Sequence, residues 1–68
     1  MQRNYAKLLG KMKECGYTQE RLALEIDRDK STLNAKFKGK SDFTAKEINL
    51  ICIALGIDNS EIGLYFFA

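Results

Sequence analysis

The sequence predicts a small all-α protein of five helices. Three observations lead there. Apolar residues recur at the three- and four-residue spacing of one helix face, as Tyr5, Leu8, Leu9 and Met12 do. No stretch alternates apolar and polar residues for long enough to make a strand, and helix-start and helix-stop residues separate the periodic segments. The chain is 68 residues with no repeat, linker or low-complexity tract, which allows a single domain spanning 1–68.

The first helix runs from about Asn4 to Cys15 and stops at Gly16, a residue able to take the left-handed conformation that closes a helix. Gly10 in its middle costs about 1 kcal/mol relative to alanine and points to close packing against a neighbouring backbone. Thr18 caps a second helix over about 18–26, with Tyr17 and Leu22 forming a hydrophobic staple and Leu22, Ala23 and Ile26 facing inward. After the break at Asp27-Arg28-Asp29, Asp29 caps a third helix over about 30–38 that ends at Gly39. Thr44 and Glu47 make a capping box, with Phe43 and Ile48 as its staple. The fourth helix so begun buries Ile48, Ile51, Cys52 and Leu55 and ends at Gly56. Asp58 with Glu61 repeats the box and Ile57 with Ile62 the staple, which starts a short fifth helix ahead of an aromatic tail over 64–68.

Size and composition narrow the function. A chain this short buries only about 60% of the surface its unfolded form exposes, leaving little room for an enclosed substrate pocket. Histidine is absent, and with it the commonest general base and zinc ligand. Cys15 and Cys52 cannot complete a four-ligand metal site and read as buried, reduced core thiols. No nucleophile, base and orienting group converge in one motif, so we expect no enzyme, no cofactor, no metal and no small-molecule substrate. The longest apolar run, Leu50 to Leu55, is six residues against the ~20 of a membrane span, and Met1 to Gly10 lacks a signal-peptide pattern. The expected location is the cytoplasm. Residues 1–40 hold ten Lys/Arg and five Asp/Glu, a charge of +5, whereas residues 41–68 hold one and four, a charge of −3. Such asymmetry suits an acidic partner for the first half, nucleic acid foremost; a solvated helix surface is the plainer alternative.

Two short helices joined by a tight turn have the spacing of a helix-turn-helix, whose second helix enters the DNA major groove while the first braces it. At 100° per residue Leu33 and Phe37 point together into the core. Ser31, Ala35 and Lys38 then face outward, flanked by Thr32 and Asn34. Small residues let a helix backbone approach base edges. Asn34 can bond adenine bidentately, Ala35 can touch a thymine methyl, and Lys30 and Lys38 can reach guanine or phosphate.

The run Thr18-Gln19-Glu20-Arg21-Leu22-Ala23-Leu24-Glu25-Ile26, followed by Lys30-Ser31-Thr32-Leu33 and Gly39-Lys40, resembles the lambda-repressor and Cro family of helix-turn-helix proteins over roughly residues 4–62. The stretch Lys40-Ser41-Asp42-Phe43-Thr44 is similar to bacteriophage-type members. The resemblance implies a compact five-helix DNA-binding domain. It assigns bracing of the complex to Gln19, packing between the two helices to Ala23, base contacts to Lys30, Ser31, Asn34 and Ala35, and phosphate contacts to the region of Lys38, Gly39 and Lys40. Three departures stand out. The family turn has a glycine and an aliphatic residue where this chain has Asp27 and Arg28, pointing to a reshaped or looser turn. The family buries a residue at the place of Lys36, with Phe37 expected to take over that packing. Asp27 and Asp29 bring carboxylates near a phosphate surface, at a cost unless Arg28 or Lys30 neutralises them.

Leu64-Tyr65-Phe66-Phe67 holds three of the seven aromatic residues, and consecutive side chains cannot all enter one small core. Either Leu64 and one or two rings cover the first and fourth helices, or Tyr65, Phe66 and Phe67 form a two-fold dimer contact. The expectation is a sequence-specific DNA-binding transcriptional regulator that occupies an operator on double-stranded DNA as a homodimer. Gln19, Lys30, Ser31, Thr32, Asn34, Ala35, Lys38 and Lys40 form its DNA-binding set. The alternative is a helix-turn-helix kept as a protein-interaction module, an anti-repressor or partner adaptor using the acidic second half and the tail.

Overall fold

The computed structural model describes residues 5–67; the expected helix start at Asn4 and the last tail residue, Ala68, lie outside the described residues. Five helices follow in order: α1 (Ala6–Glu14), α2 (Gln19–Glu25), α3 (Lys30–Phe37), α4 (Ala45–Leu55) and, after one 3₁₀ turn at Asn59–Glu61, α5 (Ile62–Phe66). There is no strand among the described residues, and the chain is all-α. No helix among them is long and apolar enough to cross a membrane.

Among the described residues α2, α3 and α4 start on a side-chain cap, and α1 to α4 end at a residue in left-handed conformation. The Thr18 hydroxyl accepts from the Arg21 amide at 3.1 Å, and the Asp29 carboxylate accepts from the Thr32 amide at 2.8 Å. At α4 the capping box is complete: the Glu47 amide donates to Thr44 Oγ1 at 3.1 Å and the Thr44 amide to Glu47 Oε1 at 2.9 Å. The second box does not form. Asp58 instead accepts from the Ser60 amide, a tighter arrangement that suits the 3₁₀ turn. The first three helices all close with one pair of hydrogen bonds, from the residue in left-handed conformation back three positions and from its successor back five. At α1 these are Gly16 to Lys13 at 3.1 Å and Tyr17 to Met12 at 2.8 Å.

α2 lies against α3 and α4, while α5 lies against α1 and α4. Their inward faces supply one core around the fully buried Leu8, Leu22, Leu33, Ile51 and Phe66. Tyr5, Phe37, Phe43 and Phe66 join edge to face through it, with ring centroids 5.6–5.8 Å apart, the geometry ring quadrupoles favour. Three expectations are corrected. Leu9 lies at the rim of the core, 38% exposed. Gly10 has nothing within 4 Å of where a side chain would begin, so no backbone packs closely there. Cys15 is exposed, its thiol 3.6 Å from the Leu55 carbonyl; Cys52 alone is buried, and burial pushes its thiol pKa up.

The tail divides by helical geometry. Neighbouring residues are 100° apart, so Tyr65 and Phe66 share one side of α5 and both are buried, whereas Leu64 and Phe67 flank the other side at 50% and 55% exposure. Tyr65 and Phe66 are therefore core residues of their own chain, not the dimer contact expected of them. Of the expected trio only Phe67 presents its ring outward.

Candidate nucleic-acid interface

The surface of interest is the outer side of α3. Asp29 holds its start, and hydrogen bonds from the Thr32 side chain and amide keep the Asp29 carboxyl below the usual carboxylate range. Its negative charge faces the positive end of the helix dipole. At the far end the Gly39 amide donates to the Lys36 carbonyl at 3.1 Å and the Lys40 amide to the Ala35 carbonyl at 2.9 Å, with Gly39 at φ 81°. These bonds bring Lys40 back beside the helix.

Leu33 and Lys36 point inward, which leaves Ser31, Asn34, Ala35 and Lys38 on the opposite side, where they and Lys40 line one open hollow of about 270 Å³. Five of the eight residues expected to touch nucleic acid thus share a surface. Lys30 is exposed at the first position of α3, outside the hollow, and Thr32 is half-buried beside the Asp29 cap. Gln19 is half-buried at the first position of α2. The lining carries one amide able to donate and accept, one hydroxyl, one methyl and two ammonium groups.

The turn between α2 and α3 is tight. Asp27 takes the left-handed conformation at φ 59°, its amide donates to the Leu24 carbonyl at 3.2 Å, and the Arg28 amide donates to the Ala23 carbonyl at 2.9 Å. This is the same closure that glycine provides for α1 and α3. Aspartate is one of the few side chains that tolerates the conformation. Arg28 supplies an anchor of a different kind: its Nε donates to Glu47 Oε2 at 2.8 Å while its side chain stays half-exposed.

Lys36 is the larger surprise. It is buried in α3, and Phe37, expected to take over that packing, packs beside it without replacing it. The Lys36 ammonium donates to Glu47 Oε1 at 2.9 Å and to the Asp42 carbonyl at 3.0 Å, and lies 5.8 Å from the centre of the Phe43 ring. Both Glu47 oxygens are thereby engaged: Oε1 by Lys36 and the Thr44 amide, Oε2 by Arg28. Burial alone would raise the Glu47 pKa. The Thr44 amide, Lys36 and Arg28 outweigh it and lower the carboxyl from 4.5 to about 2. Sequence reasoning found Glu47 only as half of a capping box. The missed signal was Lys36 itself, three residues beyond Leu33 and so on the inward side of α3.

No protein-family model and no curated protein sequence matches this chain.

Proposed function

We propose that the chain is a sequence-selective DNA-binding regulator with a lambda-repressor-like helix-turn-helix domain, acting in the cytoplasm and reading an operator with α3. The observation that carries this reading is the hollow lined by Ser31, Asn34, Ala35, Lys38 and Lys40. Its centre is small and hydrogen-bonding, which suits the edges of bases; two ammonium groups on the same wall suit the phosphates bordering a groove. An ordinary solvent face of a helix carries long acidic and basic side chains instead. The basic half of the chain, residues 1–40, contains this surface.

One such helix spans only a few base pairs. A homodimer reading two half-sites about 34 Å apart gives the affinity and selectivity an operator requires. With Tyr65 and Phe66 in the core, Leu64 and Phe67 on the outer side of α5 are the residues of the tail offered to a second copy.

Selection of bound duplexes from a random pool, followed by titration of the selected and a random duplex at two salt concentrations, tests the reading. We expect a half-site motif, a fixed spacing and tighter binding to the selected duplex. The logarithm of affinity should fall with the logarithm of salt by about 0.9 per phosphate neutralised. Recovery of no motif, with equal affinity for every duplex, would overturn it in favour of the protein-interaction module.

A further inference from the structure

Glu47 lies where three parts of the molecule meet. It holds Arg28 of the α2–α3 turn, Lys36 of α3 and the Thr44 amide at the start of α4, and it is 2% exposed. Lys36 follows Ala35 directly and lies two residues before Lys38, both of which line the hollow. A lysine at this point of α3 is a cation within one helical turn of the surface proposed to meet DNA. Its flexible stem could carry the ammonium to the edge of that surface if nothing retained it. The Glu47 carboxylate and the Asp42 carbonyl retain it, at 2.9 and 3.0 Å.

We propose that Glu47 is a positioning residue for sequence selection: by binding Lys36 inside the protein, it keeps that ammonium off the DNA-facing surface. On the preferred site the base contacts fix the register of α3 and so limit which phosphates a side chain can reach, whereas on random duplex phosphate contacts alone hold the protein and it can shift to use one more. An additional mobile cation beside α3 therefore strengthens binding to random duplex more than to the preferred site and erodes the ratio between them. This inference rests on the DNA-binding reading above and adds a cause for its selectivity.

Three variants test it, each compared with the unaltered chain on the selected and the random duplex, with folding verified by circular dichroism. Glu47→Gln keeps an acceptor for the Thr44 amide but leaves Lys36 without a counter-charge. The selected-to-random affinity ratio is expected to fall about fivefold or more, the discrimination of one base contact, and the salt slope on random duplex to steepen by up to about 0.9. Lys36→Met/Glu47→Gln has the net charge of the unaltered chain and no ammonium to release, so the ratio is expected to return. Glu14→Gln, an exposed change on α1 that raises net charge equally, is expected to leave the ratio in place. A ratio that stays constant in Glu47→Gln, or falls equally in the double variant, overturns the role of Glu47. Should Glu47→Gln fail to fold, Lys36→Met decides the matter. An unchanged salt slope supports a sequestered ammonium, and a slope shallower by about 0.9 overturns it. Absence of selectivity in the unaltered chain refutes the DNA-binding reading itself, and this inference with it.

Discussion

Acid should remove the support of Glu47 in a measurable window. In the unfolded chain this carboxyl titrates near 4.5, and in the folded chain at about 2. A carboxyl whose pKa is lowered on folding stabilises the protein fully above the unfolded value, and that contribution is lost as the pH falls toward the folded one. The loss therefore lies between about pH 5 and pH 2. At roughly 1.4 kcal/mol per pH unit between the two values it amounts to on the order of 3 kcal/mol. A protein of this length has a total stability of only about 3–10 kcal/mol, so the change is large enough to unfold much of the population. Urea denaturation followed by far-ultraviolet circular dichroism at pH 5, 4, 3 and 2 measures it. Other carboxyls titrate in the same window, Asp29 and Asp58 among them, since hydrogen bonds hold both below their ordinary values. The Lys36→Met/Glu47→Gln variant retains those and lacks Glu47. It is expected to lose about 3 kcal/mol less than the unaltered chain over the window; two parallel profiles would mean that the buried carboxylate carries no such weight.

Asp27→Gly should raise stability by about 0.5–1 kcal/mol, since relief of a side chain at φ 59° exceeds the extra freedom glycine gains on unfolding. A melting temperature a few degrees higher supports that account, and an unchanged or lower one contradicts it. Asp29→Ala removes the cap of α3 and is expected to lower melting temperature and affinity for the selected duplex together, with Asp29→Asn restoring both. Phe66→Ala should cost about 3–5 kcal/mol in urea denaturation and Phe67→Ala less than about 0.5, as one ring is buried and the other outside; similar costs would place both in one environment. If the proposed homodimer forms through α5, Leu64→Ala/Phe67→Ala is expected to keep the fold and shift sedimentation toward the monomer; an unmoved oligomeric state overturns the proposed contact.

Most of the architecture could be read from local chemistry. Thr18, Asp29 and Thr44 announce their helices because a cap needs only the next three residues, and Gly16, Gly39 and Gly56 announce the ends for the same reason. The outward side of α3 was legible too, because Leu33, read with Phe37 as its inward side, is buried and Phe37 is partly so. What escaped depends on parts of the chain distant in sequence. Lys36 reads as a surface charge until Glu47, eleven positions away, is folded against it, and Arg28 reads as a flaw in the turn until the same carboxylate receives it. Between the two readings of the tail, the structure puts two rings in the core, for a geometric reason. Two consecutive rings fit inward when a five-residue helix sits broadside on the core, which periodicity over so few residues cannot reveal.

The helices themselves are seven, eight, nine, eleven and five residues long, all below the roughly 12–15 at which an isolated helix begins to persist in water. A synthetic peptide covering 30–38 would carry Ser31, Asn34, Ala35 and Lys38 in the right order yet remain a coil. No single helix cut from the chain then keeps the α3 surface, which forms only while the neighbouring helices pack against it.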